Sequence, residues 1–153
     1  GELSSAQIER VAARLRAAPD DALRVVVTHQ PLFVVERDDL VNRVRGHRLA
    51  MRVWATAGAD LLLGGHIHQS FVAPLTAPMD GCWVVQTGTA VSRRVRERVP
   101  NSVHLIRWSG DGQRPRVSVE RWDWYCELQF QRVAVTPLSG EAGAVTSTGQ
   151  PAA

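Results

Sequence analysis

Lysine is missing altogether: all 18 basic residues of the 153-residue chain are arginine, and the net charge is only +3. With so much alanine and valine beside them, the arginines read as GC-rich coding rather than selection for a nucleic-acid surface. No aromatic-interleaved basic patch or DNA-reading motif accompanies them, so a nucleic-acid partner is not expected. Cysteine is scarce. Cys82 and Cys126 have no metal-type spacing and are too few for a disulfide framework, which leaves them as small buried hydrophobes. No apolar run approaches the roughly 18 residues of a membrane helix, so no membrane partner is expected either. There is no internal repeat. The chain also lacks an initial Met or signal segment: it opens at Gly1 and enters a helical pattern within a few residues. The expectation is a start in mid-domain, with a cytoplasmic location by default.

The chain has 44% apolar and 22% charged residues, the composition of a single globular domain with a real core. "LSSAQIERVAARLRAAP" (3–19) predicts an amphipathic helix, with Ser4 and Gln7 as a capping box and Ile8, Val11, Ala12 and Leu15 on one face. In "LRVVVTHQP", Val25, Val26 and Val27 run continuously, the pattern of a parallel strand buried on both faces. A second helical stretch is expected over roughly 40–57. Leu49, Val53 and Trp54 mark its apolar side, and Gly58 stands at the C′ position. "ADLLLGG" follows as another continuous strand, completing a βαβ unit. After residue 70 the segments 82–89, 102–108, 116–124 and 130–135 alternate, as antiparallel strands with one covered face do. "SGDGQ" (109–113) suits a hairpin turn between two of them. Residues 137–153 are small and polar without periodicity, a flexible tail after a domain at 1–136.

The chemistry gathers on histidine. His29 follows "VVVT" directly, while His66 and His68 follow "LLLGG". Ligands of open α/β sheets collect at the carboxyl ends of parallel strands, so both strand ends should face one cavity. Gly64 and Gly65 let the backbone turn tightly there. Alternation along an extended segment would then send His66 and His68 the same way. Neutral imidazole is the commonest metal-binding side chain, and three at two co-terminal strand tips predict a metal site. His47 and His104 lack such company and are read as structural. The arginine clusters "NRVRGHRLAMR" (42–52) and "SRRVRER" (92–98) are solvated faces or, through the Arg fork, phosphate contacts.

"VVVTHQPLF" and "DLLLGGHIHQS" resemble the fourth and fifth blocks of the calcineurin-like metallophosphoesterases. The helical lead-in "GELSSAQIERVAARL" fits the same likeness. "QTGTAVSRRVRERVPNSVHLIRW" is similar to the bacterial branch related to cyclic-nucleotide phosphodiesterases, so the resemblance spans Gly1 to about Val135. It implies an α/β fold, the four-layer α/β/β/α sandwich with a mixed sheet plus antiparallel strands. It implies a phosphoester hydrolase with two divalent metal ions (Mn, Fe, Zn or Co), and a phosphodiester, phosphomonoester or 3′,5′-cyclic nucleotide as substrate. By the same resemblance, His29 and His66 would bind one metal and His68 the other, with Arg93 or Arg94 reaching the substrate phosphate.

The family's earlier blocks, Asp-x-His, Gly-Asp-x-x-Asp and Gly-Asn-His-Asp/Glu, have no counterpart here, and Gln30 stands where the family often has another His. With them go the bridging carboxylate, the Asn ligand and the histidine that assists the leaving group. The expectation is therefore the C-terminal half of the enzyme, needing a missing N-terminal half and nearly inactive alone. The rival is a non-catalytic metal-binding remnant or interaction domain of the same fold.

Overall fold

Helix α1 (Ser5–Arg16) begins at the capping box expected of it: Ser4 Oγ accepts from the Gln7 amide at 3.3 Å, and Gln7 Oε1 accepts from the Ser4 amide at 2.9 Å. The two bonds satisfy amides that a helix start leaves unpaired. Ile8, Ala12 and Leu15 form its buried face. A computed structural model of the chain describes residues 1–94, 96, 99–109, 116–125 and 129–138. "SGDGQ" beyond Ser109, Cys126 and the tail from 139 lie outside the described residues. Pro137 and Leu138 depart from the expected tail: Pro137 ends a strand, and the Leu138 amide donates to the Val117 carbonyl at 2.8 Å.

The described residues form a mixed α/β structure. Strands β1 (Val25–Val27), β2 (Leu61–Gly64), β3 (Phe71–Pro74) and β4 (Trp83–Gln86) make one sheet in the order β1-β2-β4-β3. β1, β2 and β4 are parallel, and β3 runs antiparallel along the β4 edge. β5 (Ser102–Ser109), β6 (Arg116–Tyr125) and β7 (Gln129–Pro137) form a second, wholly antiparallel sheet. One face of the first sheet, with Val26, Leu62 and Val84, packs on α1 and α2 (His47–Thr56), where Met51 and Trp54 are buried. The indole of Trp54 donates to the Ile8 carbonyl at 3.0 Å and joins the helices. The other face, with Leu61 and Val85, packs on Val117 and Val119 of β6.

Four expectations change. The stretch 40–57 is not one helix. Residues Arg37–Asn42 form a 3-10 helix, and the backbone of Arg45 bonds to Gly1 and Leu3 instead of continuing it. Gly46 then takes φ +86°, where an added Cβ would meet the Leu3 carbonyl oxygen at 2.8 Å, and α2 starts afresh. With that start the buried face is Ala50, Met51 and Trp54, and Leu49 is left exposed. Gly58 does stand at C′, with amides 58 and 59 closing onto the Ala55 and Trp54 carbonyls.

Only Val26 of the valine run is buried. β1 is an edge strand that the second sheet does not cover, so Val25 is 37% and Val27 71% exposed. β4 is parallel, not antiparallel, because it continues the β1-β2 direction in the sheet centre, where three of its four residues are buried. β3, too short to alternate visibly, has no counterpart in the sequence reading.

Candidate metal centre

His29 and His66 meet because the β1-β2 ladder runs on past both strands. The Thr28 amide donates to the Leu63 carbonyl at 2.9 Å, and the Gly65 amide donates to the His29 carbonyl at 3.1 Å. On the opposite side, the Thr87 amide donates to the Gly64 carbonyl at 2.8 Å, and Gln86 Nε2 donates to the Gly65 carbonyl at 2.5 Å. The Gly-Gly turn is thus held from β1 and β4 alike. Its first glycine is required by close approach, since a Cβ on Gly64 would sit 2.5 Å from Gln86 Oε1.

Beyond the glycines the chain is not extended. His66 has φ +71°, and the Ile67 amide closes a three-residue turn onto the Gly65 carbonyl at 2.8 Å. His68 has φ +54°. Two left-handed, non-glycine residues cost roughly 1–3 kcal/mol each and persist only where the surroundings hold them. Ile67, buried between them, supplies one anchor. Both imidazoles therefore line the cavity through a strained turn, not through strand alternation as expected.

The result is an open cavity of about 750 Å³ at the carboxyl ends of β1, β2 and β4, lined by all three histidines. His66 Nδ1 lies 3.2 Å from His29 Nε2, with the rings edge to face. Two ring nitrogens at that spacing are bridged by one proton or by one cation. With metal–nitrogen bonds of about 2.0–2.1 Å, two ligands of a tetrahedral ion stand about 3.3 Å apart, so the pair fits one edge of such a site. His68 is oriented separately: its Nδ1 lies 2.6 Å from the Arg94 carbonyl oxygen, which accepts the Nδ1 proton, so that in the neutral ring Nε2 is the nitrogen with the lone pair. A backbone carbonyl holding the remote nitrogen is the usual outer support of a ligating histidine.

Among the described residues, no three His, Cys, Asp or Glu side chains come together as a group that could hold a metal. Among the described residues, the one carboxylate lining the cavity is Asp39, fully buried and engaged elsewhere. It accepts from Arg96 Nη2 at 2.6 Å and Nη1 at 2.8 Å, and from Asn42 Nδ2 at 3.1 Å. The imidazoles therefore fit part of a metal centre, and the anionic donors of a two-metal site are not among the described residues.

Of the arginines expected to meet a phosphate, Arg94 lines the cavity, whereas Arg93 is exposed and is not among its lining residues. Arg96, Asp39, Asn42 and Thr89 also line it and were not singled out from the sequence. Arg96 lay inside a noted cluster, but nothing local tied it to Asp39, 57 positions away. His47 and His104 lie away from the cavity. His47 Nδ1 is 3.0 Å from the Val44 carbonyl oxygen, and His104 sits on β5. Burial pushes the His47 ring below its ordinary value, against the pull of that carbonyl. Cys82 is buried, and burial followed by the Asp60 charge pushes its thiol up to about 12. It is inert packing. No protein-family model matches the chain, and no curated protein matches it.

Proposed function

We propose that this chain carries the histidine side of a metal-dependent phosphoesterase centre. The observation that supports it most is the approach of His66 Nδ1 to within 3.2 Å of His29 Nε2 at two parallel strand ends, beside a third imidazole whose Nδ1 is held by the Arg94 carbonyl. His29 and His66 would hold one divalent cation, and His68 would serve a second in the intact centre. Mn, Fe, Zn and Co all suit imidazole with carboxylate. Such cations supply Lewis-acid polarisation of phosphoryl oxygens and acidify water. The chain's own residues bind and orient: the Gly64-Gly65 turn fixes the imidazoles, Arg94 presents positive charge to an anionic substrate, and Arg96 presents N–H donors. Phosphodiesters, with cyclic nucleotides foremost by resemblance, are the proposed substrate class.

The missing carboxylates have a natural place of entry. β1 is an open edge beside His29, and Val27 lies in register with Leu63, on the face that carries the inter-sheet core, yet is largely exposed. A further strand there would cover Val25 and Val27, bring donors to the same sheet end, and complete the four-layer sandwich.

Cobalt(II) titration followed by visible absorption tests the centre. One weak site with imidazole-type bands is expected, lost in His29→Ala and in His66→Ala. Identical spectra in wild type and both variants would remove the proposal. With Mn added, the chain alone should turn over a chromogenic phosphodiester barely above buffer; robust hydrolysis would show that the absent carboxylates are not needed.

A further inference from the structure

We infer that Arg96, locked in place by Asp39, is an oxyanion-binding residue of this cavity and takes a phosphate group through two parallel N–H donors. The guanidinium has five N–H groups, and the structure accounts for three. Asp39 takes one from each Nη, and Gln69 Oε1 takes the other Nη1 proton at 3.2 Å. Nε–H and the second Nη2–H have no partner among the described residues. Those two lie side by side on one edge of the plane, the fork that matches two oxygens of a phosphate.

The pairing with Asp39 decides how the residue works. Asp39 is fully buried, and Asn42 Nδ2 donates to the same carboxylate. The guanidinium cannot swing out to solvent without stranding a buried charge. It is a preorganised donor, and little rotamer entropy is lost when an anion docks. Since the pair is neutral together, Arg96 supplies direction, while Arg94, which also lines the cavity, supplies the positive charge. A carboxylate ligand would satisfy the same fork, but a phosphate offers further oxygens to the histidine side. The anion chemistry stands on these side chains alone. Its identification with the phosphoryl end of a substrate rests on the phosphoesterase proposal.

The test uses the metal-free chain, with chelator present, titrated with inorganic phosphate at constant ionic strength and followed by amide NMR. Saturable binding is expected, with shifts around residues 39–42 and 88–96. Arg96→Gln should weaken it by about tenfold or more, the usual worth of a charge-assisted bidentate contact. Arg96→Lys is the second variant, because it keeps a positive partner for Asp39 and guards against misfolding. It should bind as weakly as Arg96→Gln, since an ammonium presents no fork. Absence of saturable binding in wild type overturns the inference, and so does wild-type affinity in either variant. A chain that binds phosphate through Arg96 yet gives no imidazole bands with cobalt keeps this site and loses the hydrolase reading.

Discussion

Two adjacent glycines carry different constraints, and single substitutions separate them. At Gly64 an added methyl meets the Gln86 amide oxygen at 2.5 Å, and Gln86 is fully buried and holds the Gly65 carbonyl. At Gly65 the nearest atom would be the His29 carbonyl oxygen at 3.6 Å, an ordinary contact. Gly64→Ala should therefore cost about 1–3 kcal/mol, and Gly65→Ala well under 1, in urea unfolding. Equal costs would show that the turn, not the close approach, selects the first glycine.

His104 offers a pH test at the same scale. Neither ring nitrogen has a partner among the described residues, and burial, followed by the opposing Arg121 on β6, pushes the ring down to about 4, with Asp123 pulling the other way. Unfolded, it takes a proton near 6.5. The unfolded state thus binds more protons between those values. Stability is full above about pH 6.5 and falls as pH drops toward 4, with about 2 kcal/mol lost by pH 5. His47 adds in the same direction. Glu120, which Arg107 holds below the ordinary carboxylate range, adds its loss only at more acidic pH. His104→Leu should flatten the dependence between pH 7 and 5; an unchanged slope would assign it elsewhere.

Among the elements, the 3-10 helix Arg37–Asn42 and the segment around Arg94 and Arg96 form the wall facing the histidines, and one ion pair ties them together. Asp39→Ala removes the buried partner. The cost should be about 2–3 kcal/mol, below that of a fully buried pair because the Arg96 side chain is 33% exposed. The same change should loosen the Arg94 carbonyl from His68, read as a raised Nδ1–H exchange rate. How much of this was legible follows from sequence distance. The Ser4–Gln7 capping box, the Gly58 stop and the strand ends at His29 and His66 are written in contiguous residues, and the structure has them. The break at Gly46 was hidden, because it depends on Arg45 pairing with the first residues of the chain. The Asp39–Arg96 tie was hidden for the same reason. The left-handed turn at His66 and His68 was hidden too, because positive φ is uncommon at any residue other than glycine and no local pattern marks it.

On the scale of the whole molecule, the chain builds a layer of helices, a mixed sheet and an antiparallel sheet, with the cavity at the parallel strand ends. The α/β class and the convergence of distant histidine strands were readable because hydrophobic runs and strand-end chemistry are local signals. Sheet order was not. "WVVQ" joins β2 in parallel only because the centre of the sheet is there to receive it. No helix among the described residues is long and apolar enough to cross a membrane. Val27, in register with Leu63 on the face that carries the inter-sheet core, is left largely exposed at the β1 edge. The central claim is that one cation replaces the proton between two imidazoles. Histidine-detected ¹⁵N NMR during zinc titration reads it atom by atom. Zinc should shift His29 at Nε2 and His66 at Nδ1, while His68 keeps its Nδ1 proton. Zinc shifts confined to His47 or His104, or none at the 29–66 pair, would contradict it.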